Sequence, residues 1–143
     1  MEITTMKYYT IGDLSELLGI TVVTIRYYEK IGLLGEIKRN SGGYRVYPED
    51  SLSRFYFISN AKSVGFDLNE IKELLDLQVS KGSSKLIKMK TNDKISSIKN
   101  KIDILTKMKN ALVKWEKVCD GTSSMDKCPI LNNLYKCPNV KTN

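Results

Sequence analysis

The chain contains no histidine at all, which excludes zinc sites of the Cys/His type. It has only three cysteines, too few for a four-thiolate iron-sulfur cluster. No C-x-x-C pair and no Gly-rich nucleotide loop occurs, so thiol-redox and nucleotide-dependent enzymes find little support. Proline is scarce, three in 143 residues, and with eight tyrosines this argues against disorder. No apolar run approaches the ~18 residues of a membrane span, and the N-terminus lacks a signal-peptide pattern. What remains is the expectation of a soluble, cytoplasmic, non-enzymatic protein with no membrane partner. Its length allows one domain or one domain plus an extension, and an apolar fraction of 41% suffices for a packed core.

The net charge of +7 invites a nucleic-acid reading, but its distribution does not support one. Residues 1–80 hold nine Lys/Arg against eleven Asp/Glu, a net −2; residues 81–143 hold fourteen Lys against five acids, a net +9. The excess is best read as a solvated helix face. Any DNA-binding argument must rest on placed residues.

Such residues cluster between 24 and 47. A short helix carries Arg26, Tyr27 and Tyr28, and a Gly-hinged hairpin carries Arg39, Tyr44 and Arg45. Arg forks match phosphate oxygens, and Tyr hydroxyls donate from a stiff side chain. Around them, Tyr8 and Tyr9 form a short strand. Thr10 with Asp13 caps a helix over 11–18, and Gly19 stops it. Thr21 caps a second helix over 22–31, which Gly32 ends. Residues 37–47 form a hairpin about Asn40-Ser41-Gly42-Gly43. Pro48 is expected in the first turn of a third helix over 48–63. Asp67 with Glu70 caps a fourth, running to about 77. This is a helix-turn-helix with a wing. Its second helix presents Val22, Val23 and Thr24 to base edges and Tyr28 and Ile25 to the core, and Tyr47 of the hairpin is read as core as well. None of the first three makes a bidentate base contact, so DNA shape and half-site spacing carry much of the specificity.

After a linker at 80–84, apolar residues from Leu86 through Ile102 and Leu105 to Val118 recur at three- and four-residue steps. One helix of ~35 residues, ~50 Å long, follows. The small N-terminal domain cannot bury that stripe alone, so a homodimer is expected. Residues 120–143 read as a loop, a short helical turn at 130–135, and a tail.

The ordered set T-I-R-Y-Y-E, G-L-L, R-x-x-x-G-Y-R-x-Y and A-x-x-V-G-F resembles the MerR family of transcription regulators, closely over residues 8–76 and in outline beyond. The resemblance implies a mainly α protein. Its parts would be a winged helix-turn-helix domain (1–78), a linker and long antiparallel coiled-coil dimerisation helix (79–119), and a C-terminal effector loop and tail (120–143). It places Arg26, Tyr27, Arg39, Tyr44, Arg45 and Lys62 on backbone-contacting positions, beside Thr24 from the helix-turn-helix geometry. It also implies double-stranded promoter DNA and RNA polymerase as partners. Effector binding would shift the long helices and untwist an over-long promoter spacer.

Cys119, Cys128 and Cys137 are spaced C-x8-C-x8-C. Cys119 ends the long helix, and Gly121 lets the following loop close. Lys117 and Lys127 favour thiolate, so the three cysteines are candidate ligands for a soft metal ion. The C-x8-C-P-I-L run resembles the metal-binding loop of the family's metal-sensing branch. In that branch a third thiolate for divalent ions comes from the partner's long helix, and Ser84 stands at the matching position here. Ser84 points to Cu(I) or Ag(I); the loop length, or Cys137 as a third thiolate, points to Hg(II), Cd(II), Pb(II) or Zn(II). An oxidant, an electrophile or a small organic ligand remain the alternative effectors.

Overall fold

The computed structural model describes residues 6–138. Strand β1 (Tyr8–Tyr9) leads into helix α1 (Ile11–Leu18). The entry is a reciprocal cap: the Asp13 N–H donates to Thr10 Oγ1 at 3.1 Å, and the Thr10 N–H donates to Asp13 Oδ2 at 2.9 Å. Gly19, at φ 65°, closes α1 in the left-handed region that a side chain disfavours. Two residues later Thr21 caps α2 (Val22–Lys30), its hydroxyl accepting from the Thr24 N–H at 3.2 Å. The short turn is what holds α2 across α1.

Strands β2 (Lys38–Arg39) and β3 (Arg45–Pro48) form the hairpin, and β1 adds to its other side in the order β1-β3-β2. All pairs are antiparallel, with Tyr9 opposite Tyr47 and Arg39 opposite Arg45. Asn40 organises the turn, its Oδ1 accepting from the N–H groups of Gly42 and Tyr44, both at 3.0 Å. Here one expectation fails. Pro48 does not open a helix: it is the last residue of β3, opposite Tyr8, and α3 begins at Asp50 and runs to Ser63. β2 pairs only with residues 45 and 46, so at Pro48 that side of β3 asks for no N–H donor. The Glu49 N–H then donates to the Lys7 carbonyl at 3.0 Å, extending the strand contact past the proline.

Helix α4 (Leu68–Val79) carries the expected Asp67/Glu70 box, with bonds of 2.9 and 2.8 Å. Helices α1 to α4 and β3 share one core. Leu14, Ile25, Leu33 and Ile71 are fully buried, Tyr47 and Ile58 nearly so, and Tyr28, Leu34, Phe55 and Leu75 complete the cluster. Each such side chain contributes roughly 1.5–3 kcal/mol on burial, so a small winged domain of this kind stands on about ten residues.

Helix α5 (Ser84–Lys117) is continuous over 34 residues and buries none of them. Ile95, Ile98, Ile102, Leu105, Met108 and Leu112 are all exposed along it. A 3-10 turn (Met125–Lys127) and the short helix α6 (Pro129–Leu134) follow. The chain divides into two compact units, residues 1–91 and 92–143.

Candidate nucleic-acid interface and thiol site

On α2 the residues facing inward are Ile25 and Tyr28, one turn apart and buried. The 3.6-residue period then turns Val23, Arg26, Tyr27 and Lys30 outward. Val23 is 76% exposed, an apolar tip at the position where a recognition helix meets base edges. Thr24 is half-buried, and its hydroxyl lies 2.9 Å from the Thr21 hydroxyl. Tyr27 is half-exposed and Tyr44, at the wing tip, stands well out of the surface. An exposed tyrosine at a hairpin tip buries nothing within one chain; it is a donor held out on a rigid arm.

The cations are held in defined ways. Arg39 donates from Nη1 to the Gly43 carbonyl at 2.8 Å, tying it to the hairpin turn. Arg45 donates from Nε to Glu29 Oε1 at 2.9 Å, tying the wing to α2. Lys62, on α3, donates to the Tyr28 hydroxyl at 3.3 Å and lies 5.9 Å from that ring's centre. Glu29 was missed by sequence reasoning. Within T-I-R-Y-Y-E it looks like a solvated helix charge, and only the strand register brings Arg45 and Tyr47 to it. The Tyr47 hydroxyl donates to Glu29 Oε2 at 3.2 Å. Burial first, then the Glu29 carboxylate, pushes Tyr47 up to about 12, so it stays protonated as donor.

The second site lies in the C-terminal unit. The Cys119 N–H still donates to the Glu116 carbonyl at 3.1 Å as the helix ends. Asp120 then turns the chain, its Oδ1 accepting from the N–H and hydroxyl of Thr122 at 2.9 and 2.7 Å. Gly121 takes φ 75°. The 3-10 turn returns the chain so that Cys128 caps α6 next to Cys119. The backbone N–H of Leu131 lowers the Cys128 thiol below its usual range, opposed by burial and helped by the Ile130 N–H and the Cys119 thiol. Cys119 and Cys128 are half-buried. Cys137 is exposed, its sulfur 3.8 Å from the Pro138 carbonyl. Among the described residues no group of three Cys, Asp or Glu is gathered closely enough to hold a metal. Two soft donors side by side, the Cys128 thiol made more acidic by backbone N–H groups, fit a soft ion; a preformed three-ligand cage is not present among the described residues.

Residues 9–78 match the MerR HTH family regulatory protein family, and residues 52–115 the family described as MerR, DNA binding. The mercuric resistance operon regulatory protein of Bacillus cereus is 35% identical over 130 residues, 90% of this chain and 98% of its own. The chain belongs to the MerR family of transcription regulators. The HTH-type transcriptional regulator CueR of Escherichia coli is 35% identical over 128 residues, covering 89% of this chain and 94% of its own. The lead(II) complex of the transcription regulator PbrR691 from Ralstonia metallidurans superposes with a TM-score of 0.79 at 30% identity. That match covers 87% of this chain and 97% of that one. MerR proteins are DNA-binding regulators rather than enzymes, which agrees with the scarcity of catalytic chemistry here. No described helix is long and apolar enough to cross a membrane.

Proposed function

We propose that this MerR protein is a soft-metal-responsive activator working as a homodimer on a promoter with an over-long spacer. In this reading the winged domain (1–78) grips DNA, the long helix (79–119) pairs with its copy, and residues 120–143 sense the effector. Arg26, Tyr27, Arg39, Tyr44, Arg45 and Lys62 contact phosphates, and Thr24 and Val23 reach base edges. The observation carrying the effector assignment is Cys128 brought beside Cys119 with its thiol lowered. Cys119 and Cys128 would hold the metal ion, which would supply soft Lewis acidity there. Cys119 belongs to the end of the helical segment and Cys128 to the returning loop, so joining them fixes the loop against that helix end. Shifting the long helices, reorienting the wings and untwisting the DNA for RNA polymerase then requires only that the tied loop favour one dimer state. The bound effector must prefer that state, and DNA deformation of several kcal/mol must be offset by phosphate contacts. Relatives named for mercuric resistance and crystallised with lead(II) agree with the class of effector.

The test is transcription from the DNA upstream of the protein's own gene, with Ag(I), Cu(I), Hg(II), Cd(II), Pb(II) and Zn(II) as effectors. Cys119→Ser and Cys128→Ser should each abolish the metal response and leave DNA affinity within a few-fold. A double variant that still activates with metal would remove metal sensing from this protein. Cys137→Ser decides the coordination. Its exposed position and the Ser84 match favour two thiolates, and then Ag(I) and Cu(I) responses persist in the variant. Loss of a divalent-ion response would instead make Cys137 the third ligand.

A further inference from the structure

The two grips on DNA sit on separate elements. Arg26 belongs to α2, and Arg45 to β3 in the wing. A two-stranded hairpin is marginal by itself and needs an anchor to hold its angle. The core anchors one face of β3 through Tyr47. Arg45 lies two residues before Tyr47, on the same face of the strand. One side chain meets both: Glu29 accepts from Arg45 Nε through Oε1 and from the Tyr47 hydroxyl through Oε2. Glu29 itself lies one helical turn after Arg26.

The use of Nε is the informative detail. A guanidinium bonded through Nε keeps its terminal Nη groups for a second acceptor. The Arg45 side chain is 41% exposed and that of Glu29 only 20%, so the carboxylate lies inboard and the guanidinium outboard. A carboxylate placed near a phosphate surface should weaken DNA binding by repulsion. Here it is shielded by a cation and a hydroxyl that stays protonated to about pH 12. Surface ion pairs contribute little to stability, so the arrangement is better explained by geometry than by fold energy.

We propose that Glu29 is a positioning residue for DNA binding: it clamps the wing to the recognition helix and aims the Arg45 guanidinium at the phosphate backbone. The proposal rests on the reading of Arg45 as a phosphate contact. It makes the spacing between the Arg26 and Arg45 grips a property of one carboxylate.

The test is a double-mutant cycle in the full-length protein with a 30-base-pair mixed-sequence duplex as probe. Measurement at about 0.15 M salt shortens the screening length to ~8 Å and suppresses the long-range benefit of removing an acid. Glu29→Gln keeps the shape and an acceptor for Tyr47 but loses the charge. It should weaken duplex binding by about three- to tenfold, with the circular dichroism spectrum and melting midpoint little changed. Arg45→Ala should weaken it at least as much, and adding Glu29→Gln to Arg45→Ala should change affinity by less than twofold. An unchanged or tighter Glu29→Gln protein, beside a weakened Arg45→Ala protein, overturns the clamp alone. A full Glu29→Gln loss persisting on the Arg45→Ala background also overturns it, since Glu29 would then act through something else. A silent Arg45→Ala removes the phosphate reading and the clamp together.

Discussion

Tyr47 shows how a single residue can carry fold and function at once. Its ring is among the most buried of the described residues, yet its hydroxyl reaches Glu29 on α2. The phenol is raised from an ordinary value near 10 to about 12. For an acid whose folded value lies above its unfolded one, the stabilisation is complete below the unfolded value. It is lost as pH rises through the folded one. Tyr47→Phe should therefore cost about 1–2 kcal/mol near neutrality, the worth of a hydrogen bond to a charged acceptor. The gap between wild type and variant should shrink between pH 10 and 12. Urea midpoints across that range check this, and a gap that stays constant would mean that folding does not raise the Tyr47 phenol. The residue's core role follows from its strand pattern, but its partner does not: residues 29 and 47 lie eighteen positions apart, and only folding brings them together.

At the scale of elements, the caps and turns were legible because each is a local contest that one side chain decides. Thr10 with Asp13, Thr21, and Asp67 with Glu70 all accept the N–H groups that a helix start leaves unpaired. Pro48 misled because its fixed φ serves the first turn of a helix and the end of a strand equally well. The choice fell to β1, whose pairing at Tyr8 is a contact forty residues away. Helix α5 is the opposite case: its period was plain, but among the described residues its apolar stripe stays exposed. Ile102 and Leu105 are 58% and 62% exposed, a state that a long helix resolves by pairing. Ile102→Asp with Leu105→Asp should place charges in that seam and cost several kcal/mol of dimer stability. Sedimentation should then report a monomer at micromolar concentration; a dimer that persists places the interface elsewhere.

Along the sequence, the positive charge is concentrated away from the residues proposed to contact DNA. The winged region is net negative and the C-terminal region strongly positive. α5 alone carries ten Lys against three acids. Overall charge is therefore a poor guide to where DNA binds, and individual phosphate contacts should dominate the salt response. Alanine at Arg26, Arg39 or Arg45 should weaken binding to specific and random duplexes alike. Each should lower the slope of log affinity against log salt by about one unit. The same change at Lys107, which pairs with Asp103 on the exposed helix, should leave that slope unaltered. Equal slope losses at Lys107 and Arg39 would assign binding to the diffuse field of the long helix instead.

The sequence by itself determined every element that depends on near neighbours. Helix starts, the Asn40-centred hairpin, the inward face of α2, and the long period of α5 all follow from side chains within a few residues of one another. It also marked Cys119 and Cys128, because their spacing straddles a glycine turn. Tertiary structure decided what depends on distant pairs. It joined β1 to β3 and so ended that strand at Pro48. It set Glu29 against Arg45 and Tyr47. It brought Cys128 back to Cys119 at the mouth of α6 and left Cys137 outside. Each of these turns on where a chain returns in space, and residue type alone carries no record of that return.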